Sequence, residues 1–233
     1  MEPTQYRIEP VSFTRRGGRL NPRQQSAWDE LAPVHVLDLP RGGTSTSVDP
    51  SYVLDQRAIF GRDAPLVVEI GSGIGEATAA LAPARAAYDV LALEVWRPGI
   101  ADALARVADS GATNVRFCSV DAVWSMQHLL HEGEVAELWT FFPDPWHKKK
   151  HHKRRLVTPT FAALAASRLA PGAEWRLATD WGDYAEQMVD VLDAEPLLTG
   201  GVVERWAERP VTKFERKGLA AGRDITDLAY RRL

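Results

Sequence analysis

From residue 65 onward the apolar positions of this chain gather in short blocks. Leu66–Ile70, Val90–Glu94, Val115–Val120, Leu138–Phe142 and Glu174–Ala178 are brief, mostly apolar runs with several β-branched or aromatic side chains. Runs without strict polar alternation suit strands covered on both faces, as in a parallel sheet. Ala-rich stretches between them predict helices at 75–82, 98–109, 122–131, Thr158–Leu169 and Gly182–Leu192. This alternation predicts an α/β fold, a mostly parallel, doubly wound sheet with helices on both faces. Val202–Trp206 and Ile225–Arg231, joined by a loop, predict an antiparallel hairpin on the sheet edge and bring the strands to seven.

Residues 1–50 have a different texture, rich in Arg, Pro, Gly and Ser with weak periodicity. Thr14–Arg19 reads as a flexible basic stretch, Arg41–Ser47 as a loop, and Arg23–Leu31 as a short helix between them. The division expected is a basic, partly flexible N-terminal extension over 1–50 and one domain over 51–233. A length of 233 residues fits a single α/β domain.

Charge changes this picture. The chain has 28 Lys and Arg against 31 Asp and Glu, a net −3. Six of those cations stand at 148–155, and without them 22 basic residues face the 31 acids. Positive charge is therefore local in an otherwise acidic protein, which suits one binding face for a polyanion. The one cysteine, Cys118, excludes an internal disulfide and reads as a buried, inert thiol. No apolar run approaches bilayer-spanning length, and Met1-Glu-Pro-Thr-Gln carries no export pattern. The expectation is a cytoplasmic protein with no membrane partner.

Candidate chemistry sits at the strand ends. Glu69-Ile-Gly71-Ser-Gly73-Ile-Gly75 follows the first strand and opens the first helix of the regular region, where glycines allow a tight turn and close ligand approach. A dinucleotide fingerprint wants its third glycine where Glu76 stands, and that charge is unhelpful to a pyrophosphate. Glu69 suits a cationic or hydroxyl-bearing ligand better. Glu94, ending the second strand, can accept both hydroxyls of a ribose, a role shared by nicotinamide and adenosylmethionine enzymes. Asp121, after the third, could take a hydrogen bond from an adenine amino group. Each acid taken alone reads equally as a solvated strand end or a helix cap.

The densest signal is Trp139–Arg155. An apolar strand breaks at Pro143-Asp144-Pro145-Trp146 and passes directly into Lys148, Lys149, Lys150, Lys153, Arg154 and Arg155. The prolines stiffen the turn. His147, His151 and His152 invite a metal, but no acid or thiol joins them locally, so none is expected. Trp146 either stacks on an extruded base or packs on the core. Trp124, Trp139, Trp175, Trp181 and Trp206 read as packing residues.

The block Phe141-Phe-Pro-Asp-Pro-Trp146 with its cationic cluster resembles the hallmark of the bacterial tRNA (guanine-N7-)-methyltransferase family, within the class I adenosylmethionine-dependent methyltransferases. Thr179-Asp180-Trp181, Thr212-Lys-Phe-Glu-Arg-Lys-Gly218 and Phe13-Thr-Arg-Arg match it too, in the same order along almost the whole chain. His147 stands where the family usually has proline, which could loosen the loop carrying Lys148. The resemblance implies a Rossmann-like methyltransferase domain, S-adenosyl-L-methionine as methyl donor, and a tRNA variable-loop guanosine as substrate. It maps Glu69, Gly71, Gly73, Glu94, Asp121 and Asp144 to the cofactor, with Asp144 also at the active centre. It maps Lys148, Asp180 and Thr212, Lys213, Phe214 and Glu215 to the substrate. The family contains monomers and homodimers, so both remain open.

These residue types suit the reaction. Guanine N7 bears an in-plane lone pair and no proton, so methylation there needs no general base. A fixed carboxylate such as Asp144 or Asp180 can stabilise the positive charge arriving on the purine. Lys148–Arg155 would hold phosphates, extended by Arg15, Arg16 and Arg19, giving affinity that falls with salt. Other readings stand beside this one: another class I methyltransferase acting on RNA or a small molecule, a non-catalytic RNA-binding protein on the same fold, and, less well matched by its glycine spacing, a nicotinamide dehydrogenase.

Overall fold

A computed structural model describes residues 18–233 of the chain. Arg15, Arg16 and the Phe13-Thr-Arg-Arg motif lie outside the described residues. The helices are α1 (Pro22–His35), α2 (Gln56–Phe60), α3 (Glu76–Leu81), α4 (Arg97–Ser110), α5 (Ala122–His128), α6 (Pro159–Arg168), α7 (Gly182–Asp193) and α8 (Lys213–Ala220). The strands are β1 (Leu66–Ile70), β2 (Asp89–Leu93), β3 (Val115–Cys118), β4 (Val135–Phe141), β5 (Leu169–Thr179), β6 (Leu198–Val203) and β7 (Thr226–Arg232).

They form one seven-stranded sheet in the order β3-β2-β1-β4-β5-β7-β6. β1 to β5 run parallel, and β7 is antiparallel to both β5 and β6. Strand alternation explains the two helical layers. Leu66, Val68 and Ile70 of β1 join the core with α5, α6 and α7, while Val67 joins the core with α3, α4 and Ala32 of α1. The fully buried indoles of Trp139 and Trp175 lie one in each layer. No helix among the described residues is long and apolar enough to cross a membrane.

The central strands fall where the apolar blocks placed them. The C-terminal pair differs. Its first strand begins at Leu198, four residues before the expected start, because Gly200 lies against β7 so closely that a Cβ would sit 2.0 Å from the Ala229 carbonyl. Two consecutive glycines there read as a turn, yet they permit close backbone contact within the sheet. The expected loop between the two strands contains α8. Only Phe214, Leu219 and Ala220 of its eight residues are apolar, and Phe214 and Leu219 are exposed, but Thr212 caps it by accepting from the Glu215 amide.

The early segment is joined to this body. Asn21 and Gln24 make a reciprocal capping box that starts α1. Gln24 then donates to Asp102 on α4, and the Arg97 guanidinium lies 4.4 Å from the Trp28 ring. Further on, Trp124 donates to the Val48 carbonyl and the Asp121 amide to that of Thr46.

Candidate active site

Reversal of strand order between β1 and β4 opens a crevice at their carboxyl ends, the usual ligand position in such sheets. From β1 comes the glycine loop. Gly71, Gly73 and Gly75 have φ of 75°, 57° and 76°, values that favour glycine. A Cβ on Gly71 would meet nothing within 4 Å, so the backbone faces open space there. Gly75 is packed instead, since a Cβ would sit 2.5 Å from that of Ala103 on α4. Gly99 completes the close fit: its Cβ would lie 2.6 Å from the Gly73 carbonyl. Sequence reading missed Gly99, whose one signal was a glycine in a helix's first turn.

Glu69 points to the α3 side of the sheet and is only 3% exposed. It accepts a hydrogen bond from the Thr78 hydroxyl at 2.5 Å. Burial pushes its pKa up to about 7, a rise opposed by the Thr78 bond and reinforced by the charge of Glu94. Glu94 ties β2 to the glycine loop, accepting from the Gly73 amide and from the Trp96 amide, both at 2.8 Å. Its pKa is raised too, by burial, against three backbone hydrogen bonds and with a smaller push from Asp144. Glu69, Glu94 and Asp144 are thus electrostatic neighbours. Asp121 stands one strand further out, where it caps α5 by accepting from the Trp124 amide at 3.1 Å.

From β4 comes the rigid turn. Phe142 and Trp146, at either end of Pro143-Asp144-Pro145, have φ of 53° and 48°, the left-handed values that non-glycine residues adopt at a cost of about 1–3 kcal/mol each. Strain of this kind persists where surroundings enforce it. The Phe142 amide donates to the Ala178 carbonyl on β5, and Arg209 lies 5.3 Å over the Phe142 ring. Arg155 holds the other end, donating from Nε to the Pro145 carbonyl at 2.8 Å. Asp144 itself is exposed and accepts no hydrogen bond among the described residues.

Arg155 corrects the reading of the cationic run. It is 3% exposed and also reaches Gln187 and Asp183 on α7, so it supports the turn from beneath and does not face a phosphate. Lys148, Lys149, Lys150 and Lys153 stay exposed on and beside a tight 3-10 turn, Lys149–Arg154. Slight desolvation, then the charges of Arg154, Lys150, Lys148 and Lys153, hold His151 below its ordinary pKa. Trp146 is half-buried with the Arg154 guanidinium 5.0 Å from its ring centre. His147 packs on Trp181 at 4.0 Å between ring centres, so the turn is braced where looseness was expected.

The implied substrate residues come from two elements. Asp180, just past β5, receives two hydrogen bonds from Arg223, at 2.9 and 2.6 Å. Gly218 of α8 lies directly on it, since a Cβ there would be 2.7 Å from that of Asp180. Thr212 is the cap of α8, Lys213 and Phe214 form its exposed start, and Phe214 is 53% exposed. Glu215 is different. It is 2% exposed and paired with Arg205 and Arg209, and Arg209 also grips Asp227 on β7. Arg209, Arg223 and Glu76 were not singled out from sequence as site residues. Among the described residues no group of three His, Cys, Asp or Glu is placed to hold a metal ion.

The fold and this crevice define a class I methyltransferase. A family model described as "Putative methyltransferase" matches residues 63–228. Solved structures with the same fold include a 16S rRNA methyltransferase, KamB (TM-score 0.54, 19% identity, 77% of this chain and 94% of that one). Another is an adenosylmethionine-dependent O-methyltransferase from Thermotoga maritima (TM-score 0.50, 15% identity, 74% and 60% covered). At such identities the likeness is one of fold alone.

Sequence relatives are more specific. A tRNA (guanine-N(7)-)-methyltransferase of Nocardioides sp. is 64% identical, over 96% of this chain and 88% of its own length. Its namesake in Cutibacterium acnes is 53% identical, with 96% and 83% covered. The chain belongs to the tRNA (guanine-N7-)-methyltransferase family.

Proposed function

We propose that this protein transfers the methyl group of S-adenosyl-L-methionine to N7 of a guanosine in tRNA, the variable-loop guanosine, forming 7-methylguanosine in the cytoplasm. The observation that carries this reading is the strained Phe142–Trp146 turn, which holds an exposed carboxylate beside Glu94 and next to a lysine-rich surface.

The residues fit the cofactor. Glu69 is a buried carboxylate with no cation against it among the described residues, which a methionyl ammonium would complement. Open space lies over Gly71, and the buried Ser72 hydroxyl has no hydrogen-bond partner among the described residues. Glu94 keeps lone-pair capacity for ribose hydroxyls beyond the backbone amides it accepts from. Asp121, at the start of α5, is the carboxylate for an adenine edge. When bound, adenosylmethionine supplies a methyl group activated by a sulfonium centre.

The protein's own task is then orientation and electrostatics. N7 has no proton to lose, so Asp144 need not act as a base. Its fixed charge stabilises the cationic purine, and because the turn is already strained into place, little reorganisation is needed. Asp180, held by Arg223, adds a second carboxylate toward the substrate side. Lys148, Lys149, Lys150 and Lys153 face the backbone phosphates, with Lys213 and Phe214 on the neighbouring helix. Incubating unmodified bulk tRNA with labelled methyl donor, then analysing nucleosides, should give 7-methylguanosine; label in another nucleoside, or none, refutes the assignment.

A further inference from the structure

Glu76 is the first residue of α3, directly after Gly75 of the glycine loop. Its carboxylate reaches out to another element. It accepts from the backbone amide of Lys213 at 2.5 Å and from the Arg216 guanidinium at 2.6 Å. Both partners belong to α8, the helix that begins with Lys213 and Phe214. A carboxylate at a helix start complements its unsatisfied amides and its dipole. Here one side chain stands at the start of two helices, its own and α8. The rest of α8 is fixed from the other side, through Glu215 to Arg205 and Arg209 and through Gly218 against Asp180. Glu76 is thus the described link from the cofactor loop to the exposed first turn of α8.

We propose that Glu76 is a positioning residue that couples the glycine loop to α8, so that cofactor binding and tRNA binding strengthen each other. The inference rests on the reading that Lys213 and Phe214 meet the RNA. Left-handed Gly71 and Gly73 leave the loop little side-chain packing of its own on the open side. A ligand that fixes the loop also fixes Glu76, and through it the start of α8. Coupling of this kind is reciprocal: whatever factor tRNA adds to cofactor affinity, cofactor adds to tRNA affinity. The two bonds are unequal. Arg216 is more than half exposed, so its ion pair is screened and weak, whereas the charge-assisted bond to the Lys213 amide carries most of the link.

The test measures S-adenosylhomocysteine affinity with and without an unmodified tRNA transcript, together with kcat and KM for that transcript. Wild type should bind S-adenosylhomocysteine about fivefold or more tightly when tRNA is present. Glu76→Ala should bring that factor close to one and raise KM for tRNA, with affinity in the absence of tRNA changed less than about threefold. Glu76→Gln should keep part of the coupling, because its amide oxygen still accepts from Lys213, and Arg216→Ala should keep nearly all. Coupling that survives in Glu76→Ala overturns the proposal, as does its absence in wild type. So does an equal loss of affinity with and without tRNA, which marks a structural role in the loop. Should Glu76→Ala not fold, Glu76→Gln carries the same comparison, with coupling as large as in wild type as the overturning result. Failure to form 7-methylguanosine would instead strike the functional reading, and is scored separately.

Discussion

Glu69→Gln separates the folding role of the β1 carboxylate from its role toward the cofactor. Burial raises the Glu69 pKa from 4.5 to about 7, which corresponds to roughly 3 kcal/mol against the ionised form. Because the folded pKa lies above the unfolded one, the folded state holds this proton more tightly between those values. The stability gained is complete below the unfolded pKa and is lost as pH rises through about 7. The amide variant cannot ionise, so it should be more stable than wild type at mildly alkaline pH, by up to roughly 3 kcal/mol. Ligand binding should run the other way. An ammonium group beside Glu69 favours the carboxylate, so binding expels the proton. Wild-type affinity for S-adenosylhomocysteine should then fall about tenfold per pH unit on descending below about 7. The variant should bind more weakly and lack that part of the slope. Glu94, also raised by burial, keeps a slope of its own in the variant, eased by loss of the neighbouring Glu69 charge, so the variant's slope should be shallower than that of wild type and not zero. Calorimetry in two buffers of different ionisation enthalpy reads both affinity and released protons. A wild-type affinity independent of pH across this range, or a slope in the Glu69→Gln variant equal to that of wild type, would refute the reasoning.

Further outcomes follow from the same geometry. Arg155→Ala should lower thermal stability by about 2–3 kcal/mol, because Pro145, Gln187 and a half-exposed Asp183 lose their partner, whereas Lys150→Ala should leave melting unchanged and reduce the salt slope of tRNA binding by about one. Gly99→Ala should weaken S-adenosylhomocysteine binding by tenfold or more, about 1.4 kcal/mol, since its methyl group would displace the Gly73 carbonyl; isothermal titration checks it. At saturating S-adenosyl-L-methionine the single-turnover methyl-transfer rate should be independent of pH through neutrality, and a rise governed by a group near neutrality would point to a base.

The five parallel strands were legible in the sequence because buried strands announce themselves as compact apolar runs, and the acids that close β1 and β2 follow from that placement. Other features were hidden for identifiable reasons. α8 is short and has few apolar side chains, and its clearest local signal was a Thr212-x-x-Glu215 cap, within a segment that the family resemblance assigns to substrate contact. A run of cations gives no sign of which member turns inward. Arg155 does so because the turn leaves the Pro145 carbonyl needing a donor beneath it. Long-range ties such as Glu76 to Lys213 and Arg209 to Asp227 join residues far apart in the chain, where periodicity carries no information. The left-handed conformations of Phe142 and Trp146 were equally invisible, although the prolines between them did mark a stiff turn.

The most direct test of the account is the single-turnover rate of methyl transfer to tRNA by Asp144→Ala, measured beside its tRNA dissociation constant. Loss of the charge held by the turn should slow transfer about a hundredfold or more, while tRNA binding stays within about threefold of wild type. A variant that methylates at the wild-type rate, or one whose slower transfer is fully explained by lost tRNA affinity, would contradict the role given to Asp144.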